Sequence, residues 1–248
     1  MASRFQNKTV VLTGAASGIA LCCAQKYADE GGRVCMVDVN EEGVLAAAAA
    51  ICAKGGTAVG VRADIRDYAQ VKAAVALAVE RFGGVDIMVN CAGGASSRVK
   101  GYVGVPYHEL PVEVIDWGLD VNLKGAVYFC HAVLGQMIKQ KGGVFINLGS
   151  VDGLTGSTCL DYGAAKSAMI GLTKSLTVIG SPHGIRACCV SPGPVLTRPE
   201  MARMKTRLGR AAETHEVADL ILYLSSDQAA FITGANYVID GGRSCGGI

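Results

Sequence analysis

The sequence lacks the features that mark membrane-spanning and nucleic-acid-binding proteins. No apolar stretch in its 248 residues reaches the ~20 residues that a helix needs to cross a bilayer. The net charge is only +2 and the basic residues are scattered, which excludes the cationic footprint of a nucleic-acid or anionic-membrane binder. Aromatic residues make up only 6% while glycines number 33, which favours tight turns and close helix–strand packing over a β-sandwich.

The ten cysteines show no Cys-x-x-Cys spacing, and several of them lie within apolar runs. This usage is typical of buried, reduced thiols in a cytoplasmic protein, so we expect neither disulfides nor a bound metal. The short polar segment Met1–Lys8 does not resemble a signal peptide. The final residues, Cys245–Ile248, match a prenylation box only superficially, because glycines occupy its middle positions and no polybasic run precedes it.

Strand-like apolar runs alternate with helix-length segments along the whole chain. Continuous apolar strands separated by helices are typical of a parallel sheet that is covered on both faces. Half of the residues are hydrophobic and no linker or repeat interrupts the alternation. The sequence therefore predicts an α/β fold, a single doubly wound Rossmann domain over residues 1–248 with a seven-stranded parallel sheet. The predicted strands are Thr9–Leu12, Val34–Val37, Ala58–Val61, Ile87–Val89, Val144–Leu148, Ala187–Val190 and Tyr237–Ile239. The predicted helices are Ile19–Glu30, Glu41–Ala53, Tyr68–Arg81, a long region Pro111–Gln140, Tyr162–Ile179 and Thr214–Ser225.

The first predicted strand leads into a glycine loop, Thr13-Gly-Ala-Ala-Ser-Gly-Ile-Ala20, that opens a helix. Gly14 can take the tight turn, and Gly18 lets the backbone approach a pyrophosphate at the helix N-terminus. The strand before the loop and the helix after it are the context that indicates a dinucleotide site.

Asp38 ends the second predicted strand, where its carboxylate can hydrogen-bond both hydroxyls of an adenosine ribose and repel a 2′-phosphate. Neither Ser17 nor Val39 supplies a compensating positive charge, and Arg33 stands before the strand. The predicted cofactor is therefore NAD rather than NADP. The alternative for Asp38 is a solvated loop residue without a ligand.

Tyr162 and Lys166 are four residues apart on a predicted helix, so their side chains share a face. A free tyrosine ionises near pH ~10, and a neighbouring positive charge favours the phenolate. The pair therefore predicts a tyrosine that donates and accepts protons near neutral pH. The same spacing also occurs on ordinary surface helices, so the interpretation depends on the other motifs.

Together these motifs resemble those of the short-chain dehydrogenase/reductase family, in the family's order and over almost the entire chain. The matching segments are the TGxxxGxG-like loop at 13–20, Asp64 in Arg62-Ala-Asp-Ile65, Asn90-Cys-Ala-Gly93, Asn122 in Asp120-Val-Asn-Leu123, Asn147-Leu-Gly-Ser150, Tyr162-x3-Lys166, Pro192-Gly193 with Thr197, and Ile232-Thr-Gly234 through Asp240-Gly-Gly242.

The resemblance implies a catalytic set and a cofactor site. Tyr162 would exchange the hydroxyl proton, Lys166 would lower the tyrosine pKa and bind the nicotinamide ribose, and Ser150 would donate to the substrate oxygen. Asn122 would kink its helix and hold a water in a proton relay through Lys166. The residues implied for the cofactor are Gly14, Ser17, Gly18, Ile19, Asp38, Asp64, Ile65, Asn90, Ala92, Gly93, Tyr162, Lys166, Pro192, Gly193, Val195 and Thr197.

Three positions depart from the family pattern. Ala20 replaces the third glycine of the loop, with modest crowding expected between helix and strand. Cys91 replaces an asparagine that helps to tie the sheet together, so a local hydrogen bond is lost. Ser150 precedes the tyrosine by one residue fewer than expected, which leaves Ser157 and Thr158 as rival hydroxyl donors.

Two segments are candidates for substrate contact. A short lid is expected over residues 194–210, and the loop after Gly93 is slightly long. The polar residues of the lid and of this loop could contact a substrate, and they are equally consistent with a solvated surface. The substrate is therefore predicted only as an oxygen-rich secondary alcohol, such as a polyol or sugar. The lid residues are Arg198, Arg203, Lys205, Arg207 and Arg210, and the loop residues are Ser96, Arg98, Tyr102, Tyr107 and His108.

The function predicted is interconversion of such an alcohol and its ketone by an NAD-dependent enzyme. The alternatives are a 3-oxoacyl thioester reductase, which would favour NADPH, and a non-catalytic NAD-binding regulator, which would have no need of Ser150, Asn122, Tyr162 and Lys166 together. The resemblance also implies a homotetramer, with no nucleic-acid or membrane partner.

Overall fold

Strands and helices alternate through residues 3–246, the part of the chain that the computed structural model describes. The last two residues of the Cys245–Ile248 segment lie outside that range. The strands are β1 Thr9–Thr13, β2 Arg33–Asp38, β3 Thr57–Arg62, β4 Ile87–Asn90, β5 Gly143–Leu148, β6 Ile185–Pro192 and β7 Asn236–Ile239. The α-helices are α1 Gly18–Asp29, α2 Glu41–Ala53, α3 Tyr68–Phe82, α4 Ser96–Val99, α5 Val112–Leu119, α6 Gly125–Gln140, α7 Asp152–Thr155, α8 Leu160–Gly180 and α9 Thr214–Ser225.

The strands form one sheet in the order β3-β2-β1-β4-β5-β6-β7, and every pairing is parallel. The predicted doubly wound, seven-stranded sheet is therefore confirmed. The chain leaves β1 toward β2 on one side and later returns to place β4 on the other. This reversal opens a crevice at the carboxyl ends of β1 and β4, where ligands bind in folds of this kind.

Both faces of the sheet are buried, which explains why the strands read as continuous apolar runs. Val10 and Leu12 of β1 face a core shared with α1, α2 and α9. Val11, between them, faces the opposite core, which contains residues of α3, α6 and α8. Successive strand residues therefore pack on opposite helical layers, and no face of the central strands is left for solvent.

The region predicted as one long helix, Pro111–Gln140, is continuous but changes its geometry in the middle. A π-helical turn, Asp120–Lys124, separates α5 from α6. The short helices α4 and α7 were not predicted, because four residues are too few to show a helical period. None of the helices within residues 3–246 is both long and apolar enough to cross a membrane.

A chain of buried hydrogen bonds joins the two central strands to α8. The Asn90 Nδ2 group donates to Asn147 Oδ1 at 2.9 Å, and Asn147 Nδ2 donates to Thr173 Oγ1 at 2.9 Å. The Thr173 hydroxyl in turn donates to the carbonyl of Met169 at 2.8 Å. All three polar side chains are almost fully buried. This network positions the helix that carries Tyr162 against the strand that leads to Ser150.

We predict that Thr173→Val lowers the free energy of unfolding by about 1–3 kcal/mol, because it leaves the buried amide of Asn147 without an acceptor. Urea unfolding followed by circular dichroism measures the change. Thr214→Val is the matched control, since that hydroxyl makes no hydrogen bond to the residues that the structure describes, and its effect should stay within about 0.5 kcal/mol. Equal effects of the two substitutions would contradict the role of the network.

Candidate active site

A cleft of about 640 Å³ runs along the carboxyl ends of the strands. This volume lies within the range of small-molecule and cofactor sites. Its wall includes every predicted catalytic and cofactor residue except Asn90 and Asn122. The predicted residues that line it are Gly14, Ser17, Gly18, Ile19, Asp38, Asp64, Ile65, Ala92, Gly93, Ser150, Tyr162, Lys166, Pro192, Gly193, Val195 and Thr197.

The glycine loop has the geometry that a pyrophosphate cradle requires. Gly14 and Gly18 have φ angles of +70° and +59°, which side-chain-bearing residues rarely adopt. A Cβ atom at Gly14 would lie 2.9 Å from Cα of Ala92. Ser17 begins α1 without a side-chain cap, so the helix presents backbone N–H groups and the positive end of its dipole to the cleft. The loop therefore fits the diphosphate of a dinucleotide.

At the far end of the cleft, Asp38 is held by the loops on either side of it. Its Oδ2 atom accepts from the Ala16 N–H at 3.0 Å, and Oδ1 accepts from the Asn40 N–H at 2.9 Å. Asp64 nearby forms a two-pronged ion pair with Arg66, which lowers the pKa of the Asp64 carboxyl. Both acids line the cleft that also contains the glycine loop.

Asn90 does not line the cleft, and its role as a cofactor contact stays a prediction. It ends β4 beneath the cleft floor, where it hydrogen-bonds Asn147 across the sheet. The next residue, Cys91, replaces the expected second asparagine, and the backbone N–H groups of Cys91 and Ala92 both donate to Thr13 Oγ1 at 3.1 Å. Thr13 therefore ties β1 to the end of β4 through backbone groups, which need no asparagine at position 91.

Asn122 lies in the π-helical turn and is 1% exposed. Its Nδ2 group donates to the carbonyls of Gly118 and Gly94, both at 2.9 Å, and its Oδ1 atom accepts from the Gly94 N–H at 2.8 Å. A side chain that takes the carbonyl of its own helix disturbs the regular ladder, and π turns often accompany functional sites. The kink expected at Asn122 is therefore present as a π turn.

Lys166 is buried, and its ammonium group donates to the carbonyl of Leu148 at 2.8 Å. Burial lowers the pKa of Lys166, because the charged form loses its hydration. A Cβ atom at Gly93 would lie 3.2 Å from Lys166 Nζ and 2.6 Å from Asn122 Oδ1. The fold therefore brings Lys166 and Asn122, which the sequence separates by a strand and two helices, to the same glycine.

Tyr162 lies over Lys166, whose Nζ atom is 5.8 Å from the centre of the phenol ring. Burial raises the pKa of Tyr162 above its usual value, while the Ser150 hydroxyl, Arg198 and Arg98 lower it. The expectation that Lys166 lowers the tyrosine pKa is not met in the protein alone, because desolvation is the largest effect. The charges that do lower it come from two arginines that the sequence motifs do not include.

Ser150 is the hydroxyl that the fold directs toward Tyr162. It lies at the end of β5, lines the cleft, and its Oγ atom accepts from the Asp152 N–H at 3.2 Å, which leaves its own proton free to donate. Ser157 bonds to Asp152 instead, at 3.3 Å, and neither it nor Thr158 lines the cleft. The rival hydroxyls are therefore not supported by the geometry.

Of the polar residues considered for substrate contact, only Arg98 and Arg198 line the cleft. Arg210 pairs with Glu216 at 2.6 Å, and His108 faces Glu109 at the surface. Apolar side chains that sequence reasoning missed complete the wall, because no motif marks them and their positions in the chain are far apart. They include Val99, Trp117, Val121, Met201 and Met204.

Comparison with known proteins places this geometry in a family. A family model described as enoyl-(acyl carrier protein) reductase matches residues 14–244. The D-threitol dehydrogenase of Mycolicibacterium smegmatis is 35% identical over 253 residues, which cover 96% of this chain and 94% of the relative. The trans-4-hydroxycyclohexanecarboxylate dehydrogenase of Sinomonas cyclohexanicum is 37% identical over 260 residues, which cover 99% of this chain and 96% of the relative.

The comparison with solved structures leads to the same family as the comparison of sequences. The crystal structure of a short-chain type dehydrogenase/reductase from Mycobacterium marinum superimposes with a TM-score of 0.90 at 30% identity, covering 99% of this chain and 98% of its own. Fold, glycine loop and matched sequence thus lead to one conclusion: the chain belongs to the short-chain dehydrogenase/reductase family.

Proposed function

We propose that this protein is an NAD-dependent dehydrogenase that interconverts a secondary alcohol and its ketone. The observation that carries the proposal is the convergence of Tyr162, Ser150 and Lys166 on the cleft that also holds the glycine loop. A regulator that only bound a dinucleotide would need the loop but not this group of side chains. The two curated relatives carry the names of enzymes that oxidise a polyol and a ring alcohol.

In this proposal the protein orients the reactants and moves one proton. A bound nicotinamide supplies the acceptor for the hydride. The alcohol carbon releases the hydride, and its hydroxyl proton passes to the phenolate of Tyr162 as the C=O bond forms. Ser150 donates a hydrogen bond to the oxygen whose charge changes, which stabilises the transition state. Lys166, with its lowered pKa, would pass the proton from the tyrosine toward solvent through a water held by Asn122.

NAD is the proposed cofactor because Asp38 ends β2 and lines the same cleft as the glycine loop. The glycine loop would hold the diphosphate, Asp38 the ribose hydroxyls, and Lys166 the nicotinamide ribose. A carboxylate at that position repels a 2′-phosphate. Arg62 pairs in register with Asp38 on the neighbouring strand, yet it does not line the cleft.

A 3-oxoacyl thioester reductase is the alternative activity. The matched family model is described as enoyl-(acyl carrier protein) reductase, which shares the acyl substrate class with this alternative but names the reduction of a C=C bond instead of a ketone. Asp38 opposes it, since such a reductase would favour NADPH. A panel that includes threitol, cyclohexanol, 4-hydroxycyclohexanecarboxylate and, in the reverse direction, acetoacetyl thioesters distinguishes the two.

A homotetrameric, cytoplasmic protein with a lid over residues 194–210 completes the proposal. Exposed apolar side chains on α5, α6 and α8 support association through these helices, among them Val112, Val127 and Leu160. The unpaired edge strand β7 exposes Val238 in the same way. Met201 and Met204 lie in the lid segment and line the cleft, as a cover over substrate would.

We expect Tyr162→Phe to lower kcat for alcohol oxidation by about 10²–10⁴-fold, because the variant has no group to accept the proton. NADH formation followed at 340 nm measures the loss, and NADH binding should remain within about twofold of the parent protein. Tyr223→Phe, on the exposed face of α9, is the matched control and should keep full activity. Full activity in Tyr162→Phe would refute the assignment.

Substitution of Asp38 by Asn should reduce the preference for NAD over NADP, measured as the ratio of kcat/KM values, by at least about tenfold. The amide keeps an acceptor oxygen for only one of the two neighbouring N–H groups, and it removes the charge that repels a 2′-phosphate. Glu80→Gln removes one exposed negative charge far from the cleft and controls for net charge. An unchanged ratio, or a parent protein that prefers NADP, would show that Asp38 does not select the cofactor.

The pH dependence should differ between the two directions of the reaction. Oxidation requires the deprotonated tyrosine, and burial raises the pKa of Tyr162, so kcat/KM for the alcohol should rise about tenfold per pH unit through the neutral range. Ketone reduction requires the protonated tyrosine and should not rise. Initial rates in both directions between about pH 6 and pH 9 test this, and a flat oxidation profile would contradict it.

A further inference from the structure

Two arginines from distant parts of the chain line the same cleft as Tyr162 and interact with it electrostatically. Arg98 belongs to the short helix α4, which follows β4, and Arg198 precedes the 3₁₀ helix Pro199–Arg203. Both line the cleft together with Ser150 and Tyr162. Neither arginine is part of the glycine loop or of the predicted catalytic set.

The position of Arg98 is at the catalytic end of the cleft. A Cβ atom at Gly94 would lie 3.0 Å from the Arg98 guanidinium. The Gly94 N–H is bonded to Asn122 at 2.8 Å, and the preceding glycine contacts both Asn122 and Lys166. The guanidinium therefore lies over the loop next to the proton-transfer residues, and Asp38 is at the other end of the cleft.

The positive charge of this pair is poorly neutralised by the protein. Between residues 3 and 246, the Arg98 side chain has no hydrogen-bond acceptor and no ion-pair partner within 4 Å. Arg198 has one long contact, 3.9 Å from the exposed Glu200. Desolvation lowers the pKa of Arg98, and the neighbouring charge of Arg198 lowers it further. Two guanidiniums that disfavour each other in a substrate-sized cleft match an anion that both can bind.

We propose that Arg98 and Arg198 bind an anionic group of the substrate, so that the alcohol is a hydroxy acid whose carboxylate pairs with both guanidiniums. The inference rests on the proposed dehydrogenase function and names its substrate class. The apolar side chains of Trp117, Met201 and Met204 line the same cleft, so the body between the hydroxyl and the carboxylate is hydrocarbon rather than polyol.

The competing role for the pair is to hold the phosphates of the cofactor. The glycine loop already provides a phosphate cradle, and Arg98 lies over Gly94 instead of over that loop. Arg198 follows Thr197, whose Cγ2 atom would lie 3.3 Å from a Cβ atom at Gly18, so the kinetic effects of the two arginines decide between the roles. In that competing role, loss of either arginine would raise KM for NAD. In the proposed role it would raise KM for the hydroxy acid alone.

The kinetic test compares trans-4-hydroxycyclohexanecarboxylate with its carboxamide, which has nearly the same shape and no charge. The parent protein should favour the acid, and Arg98→Gln and Arg198→Gln should each lower kcat/KM for the acid about tenfold, since a charge-assisted hydrogen bond contributes roughly that factor. The carboxamide rate and KM for NAD should not change. Arg203→Gln, which removes an exposed guanidinium from the same 3₁₀ helix, is the matched control.

A binding test separates this inference from the proposed reaction. Trp117 is the single tryptophan of the chain and lines the cleft, so its fluorescence reports on occupancy. Cyclohexanecarboxylate carries no hydroxyl and cannot be oxidised. It should cause a saturable change in the parent protein and in Arg203→Gln, with a Kd raised at least about tenfold in the double variant Arg98→Gln/Arg198→Gln.

The outcomes are distinct. Equal use of acid and carboxamide by the parent protein, or a rise in KM for NAD in the arginine variants, would overturn the substrate assignment. If no alcohol is oxidised, the proposed reaction fails, and the fluorescence titration still decides the site. Arginine-dependent binding of cyclohexanecarboxylate would then support the anion site, and no saturable binding would overturn it.

Discussion

The burial of the Lys166 ammonium group is the constraint around which the catalytic end of the cleft is built. An ammonium without hydration needs hydrogen-bond acceptors, and the carbonyl of Leu148 at the end of β5 provides one at 2.8 Å. The Lys166 side chain reaches this carbonyl from α8. It can do so only because Gly93 carries no side chain, since a Cβ atom there would contact Lys166 and overlap Asn122. The strand end, the glycine and the helix are therefore mutually dependent.

Asn122 lies in a π-helical turn that positions the loop at the same end of the cleft. Its amide bonds to the carbonyl of Gly118 within its own helix and to both backbone groups of Gly94 in the loop after β4. The helix accommodates this through a π turn, and the loop is held against it. The loop that leads to α4 and Arg98 is thereby positioned by Asn122, so the proposed substrate contact and the proposed proton relay share one support.

The proposed cofactor end of the cleft is explained by the topology of the sheet. Parallel strands bring their carboxyl ends to one edge of the sheet, and the reversal of strand order between β1 and β4 leaves that edge open. Gly14, Gly18 and Asp38 come from the ends of the first two strands, so their meeting is a direct consequence of the fold. This is why local motifs were sufficient to predict that these three residues line one cleft.

The same reasoning explains why sequence motifs do not reveal the direction of a side chain or the extent of its burial. Asn90 belongs to a recognisable motif, yet its side chain turns into the sheet to meet Asn147, and motif membership does not reveal that direction. The i, i+4 pairing of Tyr162 and Lys166 predicted a lowered tyrosine pKa. The ammonium instead lies beside the ring while burial raises that pKa. The extent of burial depends on residues from the whole chain and cannot be read from a four-residue spacing.

By itself, the sequence determined the doubly wound fold and the position of the glycine loop, because periodicity and short spacings are local properties of the chain. Its resemblance to the family supplied the candidate catalytic group. Only the tertiary structure decided which of several arginines face the cleft, how Asn122 reaches the Gly94 loop, and which apolar side chains complete the wall. Arg98 and Arg198 lie 100 positions apart. Their proximity exists only because the loop after β4 and the segment after β6 end at the same edge of the sheet.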